Sequence, residues 1–86
     1  MANYKLTIKK SAARELKNIP QKDIHRVVRR IQTLADNPRP FGSEKLSGMP
    51  CHRIRQGNYR IIYSIDDTSR IVDIIKIGHR REIYRF

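Results

Sequence analysis

The stretch Cys51 to Tyr63, CHRIRQGNYRIIY, constrains this chain more than any other. Gly57-Asn58 is a two-residue turn between strand-like runs, and a turn of that length sets which residues stand opposite each other. Gln56 then faces Tyr59, Arg55 faces Arg60, and Ile54 pairs with Ile61. Side chains alternate between the two sides of a strand, so Arg53, Arg55 and Arg60 share one side while Ile54 and Ile61 share the other. Like charges directly opposite each other destabilise a sheet. A hairpin that accepts that cost calls for an anion to neutralise it.

The flanking sequence supplies something for the apolar side to pack on. Tyr4, Leu6 and Ile8 alternate with polar residues as in a half-buried strand. Ser11 is positioned to cap a short helix bearing Ala12, Leu16 and Ile19, with Pro20 ending it or opening the next. Ile24, Val27, Val28, Ile31, Leu34 and Ala35 recur at spacings of three and four, forming one helical stripe that Asn37-Pro38 stops. Lys22, Arg26, Arg29 and Arg30 fall mostly on the opposite face of that helix, where they serve either as a solvated exterior or as a docking face for a polyanion.

Asn37 to Ser43 reads as a loop, Glu44-Lys45-Leu46 as a short segment, and Ser47 to Pro50 as a turn. The strand after the turn runs from Tyr59 to Ile65. A loop through Asp66 to Arg70 leads into Ile71 to Ile77, rich in β-branched residues. If Ile65 faces Ile71, Arg60 faces Lys76, and Lys76 and Arg80 join the arginine side; a slip of one residue would turn Lys76 to the other face. The expectation is an α+β domain spanning residues 1–86, with two N-terminal helices packed on a four-stranded, largely antiparallel sheet whose other face is basic.

Charge narrows the partner. The chain carries 19 Lys and Arg against 8 Asp and Glu, a formal net charge of +11, which points to nucleic acid ahead of an acidic protein. A membrane partner is not expected, because no apolar run approaches bilayer length and the basic helix has a core to face. The opening MANYKLTIKK lacks an export leader, and Cys51 is the sole cysteine; a cytoplasmic location and no internal disulfide are expected.

Cys51 and His52 are adjacent rather than spaced for zinc, and no phosphate loop, HExxH or nucleophile elbow occurs, so neither metal nor cofactor is expected. What remains is an arginine surface with a histidine and a tyrosine in Gly78 to Tyr84. Guanidinium groups hold phosphate bidentately and stabilise the added charge of a pentavalent transition state. RNA brings its own nucleophile, the 2′-hydroxyl, so metal-free cleavage needs only orientation and proton transfer, for which His79 and Tyr84 are candidates. Passive nucleic-acid binding explains the same cluster. Tyr59, Tyr63 and His52 fall on the apolar side and read as core residues, and Cys51 as edge packing.

The succession Leu46-Ser47-Gly48-Met49-Pro50, Arg53-Ile54-Arg55, Gly57 to Tyr63 and Gly78-His79-Arg80-Arg81-Glu82-Ile83-Tyr84 resembles the RelE/ParE toxin family of toxin–antitoxin systems, over nearly the whole chain. The resemblance implies a microbial ribonuclease-like fold. On the RelE side it implies a toxin that cleaves messenger RNA in the ribosomal A site through 2′-hydroxyl attack. It also implies a cognate protein antitoxin with a toxin-wrapping segment, and operator DNA as a partner through the antitoxin complex.

By motif position the resemblance implies an active-site set of Arg53, Arg55, Arg60, Arg80 and Tyr84, with His79 beside them and Lys76 and Arg81 as further RNA contacts. Arg60 and Arg80 match residues that hold the scissile phosphate, and Tyr84 one that stacks on a base. Arg53 and Arg55 stand where the RelE pattern has lysines. An arginine yields its proton far less readily than a lysine, which leaves the general base to His79 or solvent. The ParE branch, which inhibits DNA gyrase, and a non-catalytic DNA-binding corepressor are the alternatives.

Overall fold

The computed structural model describes residues 3–79; Arg80, Arg81 and Tyr84 lie outside them. Strand β1 (Lys5–Ile8) leads into helices α1 (Lys10–Lys17) and α2 (Gln21–Thr33), and these into β2 (Glu44–Lys45), β3 (His52–Gln56), β4 (Tyr59–Asp66) and β5 (Ile71–His79). The expected α+β class holds with one more strand. The sheet has five strands in the order β1-β5-β4-β3-β2, antiparallel except where β1 lies parallel to β5. The extra strand is the short Glu44-Lys45 segment, two residues long, which carries no alternation long enough to read from sequence.

The helix pair starts differently from expectation. Helix α1 begins at Lys10 after Lys9, with no side-chain cap, so Ser11 lies inside the first turn rather than capping it. Pro20 opens α2, where its lack of an N–H costs nothing. Ala12, Ile19, Val27, Ile31 and Leu34 from the helical half close over Ile54, Ile61, Tyr63, Val72, Ile74 and Ile77 of the sheet. Each fully buried aliphatic side chain contributes about 1.5–3 kcal/mol, so this layer dominates stability. The opposite face holds a smaller apolar cluster of Cys51 and Ile62, edged by Leu46, Met49 and Ile75. That face is therefore part apolar and part basic, a correction to a wholly basic one.

The β3–β4 hairpin has the register its turn dictates: Gln56 with Tyr59, Arg55 with Arg60, Ile54 with Ile61. Gly57 takes φ +61°, a left-handed conformation that glycine adopts without strain. The β4–β5 register departs from expectation twice. Asp66, not Ile65, pairs with Ile71, a one-residue shift that alone would turn Lys76 away from the arginines. A β-bulge between Ile62 and Tyr63 then admits Ile75 as an extra residue and reverses the shift, so Lys76 pairs with Ile62 and Arg60 with Gly78. Lys76 reaches the expected face, opposite a different partner.

Candidate phosphate-binding site

Alternation along the hairpin puts Arg53, Arg55 and Arg60 on the face of the sheet away from the helices. Arg60, in the central strand, is only 2% exposed. Its neighbour on β5 is Gly78, which places no side chain beside it, while Arg55 opposite it on β3 is exposed. Lys76, paired with Ile62, stands diagonally from Arg60 on this face. Diagonal neighbours lie about 7–8 Å apart, within reach of long side chains.

These residues open onto a cavity of about 250 Å³ lined by Arg30, Gly42, Glu44, Arg53, Arg55 and Arg60. Glu44 is placed there by β2, which pairs Glu44 with Arg53 across the strands. Its Oε2 accepts a hydrogen bond from Arg53 Nη2 at 2.6 Å. The carboxylate is mostly exposed, so the ion pair adds little to stability; its effect is to hold a carboxylate among guanidinium groups. Sequence reasoning missed Glu44. The available signal was an acid just ahead of a basic hairpin, but only strand pairing reveals that it stands opposite Arg53.

His79 is not part of this cluster. It pairs with Tyr59, and Tyr59 shares its side with Ile61, which puts His79 on the helix-covered face. There it meets Tyr59 edge-on at 5.9 Å and lines a separate cavity of about 270 Å³ with Glu15, Asn18 and Ile19. The two-residue alternation that gathers the arginines is what separates His79 from them. Arg80, Arg81 and Tyr84 fall outside the described residues.

The apolar side of the hairpin is structural, as its pattern implied. Tyr63 is fully buried and donates its hydroxyl to the Pro38 carbonyl at 2.7 Å, tying the loop after α2 to β4. Burial holds the Tyr63 hydroxyl above its ordinary range. His52 stacks on Tyr63 at 5.7 Å, and burial, with Arg39 and Lys45 nearby, pushes its imidazole below the usual range, so it is neutral at pH 7. Away from the cavity, Arg39 grips Asp67 with two hydrogen bonds, 3.2 and 2.8 Å, and Tyr4 donates to Asp67 at 2.6 Å. Among the described residues, no three His, Cys, Asp or Glu side chains gather as metal ligands, and no helix is long and apolar enough to cross a membrane.

Sequence and fold place the chain among known relatives. A sequence model described as the ParE toxin of the type II toxin–antitoxin system parDE matches residues 6–84. Toxin RelE of Mycobacterium tuberculosis is 36% identical over 86 residues, covering 95% of this chain and 87% of its own. Among solved structures, a chain of the archaeal RelE–RelB complex from Pyrococcus horikoshii superposes with a TM-score of 0.82 at 28% identity, covering 93% of this chain and 98% of that one. The isolated E. coli RelE toxin superposes with a TM-score of 0.78 at 26% identity, covering 95% and 92%. Sequence match and fold agree: the chain belongs to the RelE/ParE toxin family of type II toxin–antitoxin systems.

Proposed function

We propose that this toxin is a metal-independent endoribonuclease that cleaves messenger RNA in the ribosomal A site and so inhibits translation. The observation that supports this reading best is the cavity in which Arg53, Arg55 and Arg60 converge beside one carboxylate, Glu44. Arg60 and Arg55 hold the scissile phosphate and offset the charge that develops on it. Glu44, oriented by Arg53, takes the proton of the attacking 2′-hydroxyl, a role a carboxylate fills and an arginine does not. Phosphorus gains the bond to the 2′-oxygen and loses the bond to the 5′-oxygen, which takes up a proton from solvent while Glu44 releases its own to solvent, leaving a cyclic phosphate and a 5′-hydroxyl. Arg80 and Tyr84, assigned by motif position, complete the set as a further phosphate ligand and a base-stacking residue; Lys76 and Arg81 add RNA contacts.

The partners in this reading are the ribosome carrying messenger RNA and a cognate protein antitoxin, with operator DNA reached through the antitoxin complex. The RelE–RelB complex from Pyrococcus horikoshii supports the antitoxin by analogy. The parDE description of the matching family favours a second reading, inhibition of DNA gyrase, but that reading gives the cavity carboxylate no task. Primer extension on messenger RNA bound to programmed ribosomes, with the same RNA free in solution, separates the two. Codon-phased cuts on the ribosome alone are expected. Absence of cuts from folded, antitoxin-free toxin would overturn the nuclease reading.

A further inference from the structure

Arg30 differs from its neighbours on α2. Arg26 and Arg29 are exposed, as a solvated helix face should be, whereas Arg30 is half-buried and its Nε is buried without a hydrogen-bond partner. No carboxylate pairs with it among the described residues. A buried donor left unsatisfied costs about 1–3 kcal/mol, and such a group calls for an explanation.

Position supplies one. Strand β2 pairs only with His52 and Arg53 of β3, so among the described residues no strand pairs with the edge of β3 from Ile54 to Gln56. Across that edge Arg30 enters the same cavity as Arg53, Arg55 and Arg60. It also lines an adjoining cavity of about 250 Å³ with Arg26, Arg29, Thr33 and Gln56. One side chain therefore joins the arginine face of the sheet to the basic face of the helix. Within the first cavity, four arginines meet one carboxylate, Glu44, already bonded to Arg53.

We infer that Arg30 forms a second phosphate subsite, carrying the RNA backbone from the reaction cavity over the open edge of β3 towards Arg26 and Arg29. The inference rests on the RNA reading above and deepens it. A polyphosphodiester suits a linear track of guanidinium groups because each phosphate accepts two parallel N–H bonds, and the buried Nε gains the acceptor it lacks. An acidic protein segment would meet the same charges, and its binding is an outcome of the test.

The test is equilibrium binding, without ribosomes, of a fluorescent oligoribonucleotide made uncleavable by 2′-deoxy substitution, measured against salt. Arg30→Gln is expected to weaken binding about tenfold and to reduce the slope of log affinity on log salt by about 0.7, the value for one phosphate contact on a single strand. Arg30→Lys restores the slope but not the full affinity, and Lys10→Gln on α1 changes neither. Wild-type affinity and slope in Arg30→Gln would overturn the subsite. So would loss confined to binding of an acidic peptide such as poly-glutamate. If Arg30→Gln shows the expected loss while wild-type toxin makes no cuts on ribosomes, the subsite stands and the nuclease reading falls. Ribosomal cleavage together with unaltered RNA binding by Arg30→Gln gives the reverse.

Discussion

The two faces of this sheet are written by the same residues in alternation, yet they are built for different ends. On β4, Ile61 is fully buried beneath the helices, while its neighbour Arg60 is only 2% exposed on the face away from α1 and α2. Burying an aliphatic side chain stabilises the fold; burying a guanidinium among other guanidinium groups opposes it. The helix-covered face is thus where the apolar core resides, and the arginine face is where positive charge is gathered. His79 and Glu44 sharpen the contrast. The histidine, the more familiar proton carrier, is on the stable face, whereas the carboxylate is in the arginine cavity.

The largest effect should come from exchanging the chemistry of those two residues. Glu44→Gln keeps the shape of the side chain and removes the proton acceptor. It is expected to lower single-turnover cleavage on ribosomes about 10²–10⁴-fold, the usual contribution of a general base. His79→Ala should stay within about twofold of wild type if only the arginine face does chemistry, since base catalysis lost there would cost far more. A normal rate in the first variant and a collapsed rate in the second would return the base to His79 and break the division between faces.

Next in size is the adjacent pair on β4. Arg60→Ala should reduce cleavage about 10²–10³-fold, as removal of one transition-state hydrogen-bond donor does elsewhere. Ile61→Ala should instead lower the free energy of unfolding by about 2–5 kcal/mol and leave the rate per folded molecule near wild type. Urea titration and single-turnover rates on both variants show whether stability and catalysis part at this one peptide bond.

How far sequence reveals the faces depends on the range of the constraint. Gly57-Asn58 fixes the hairpin locally, so the Arg55–Arg60 and Ile54–Ile61 pairs are legible in the sequence. The stripe on α2 was legible for the same reason, since helical period is local. Three features were not. The bulge at Ile75 depends on how β4 and β5 settle over the helices, and nothing in a β-branched run marks it. The pairing of Glu44 with Arg53 spans a loop and a turn, and a two-residue strand has no pattern of its own. The half-burial of Arg30, on a helix face whose neighbours Arg26 and Arg29 are exposed, is a property of tertiary packing alone.

A smaller effect tests how the hairpin is held on its stable side. Tyr63→Phe removes the hydroxyl that bonds the Pro38 carbonyl at 2.7 Å. The expected loss is about 0.5–1.5 kcal/mol, with more only if the carbonyl is left buried without a donor. Thermal unfolding reads it. Cleavage should be unchanged, because the bond anchors the loop to the helix side and not to the arginines.

The smallest effect lies at an ion pair outside both faces. The Arg39 guanidinium, bonded twice to Asp67, and the Tyr4 hydroxyl hold this carboxyl down to about 2, below its ordinary 3.8. A carboxyl whose folded value is depressed favours the folded state while it is ionised, so its contribution is complete above about pH 4 and is lost as pH falls towards 2. Asp67 is exposed to solvent, and screening keeps the term modest. Denaturant midpoints measured from pH 5 to pH 2 should therefore fall less steeply for Asp67→Asn than for wild type, with the two curves converging at the acid end. Raising the salt concentration should draw them together at pH 5 as well, because an exposed pair is screened by ions. If the curves ran parallel throughout, Asp67 would contribute nothing through its charge, and Tyr4 and Arg39 would anchor the strand ends only by packing.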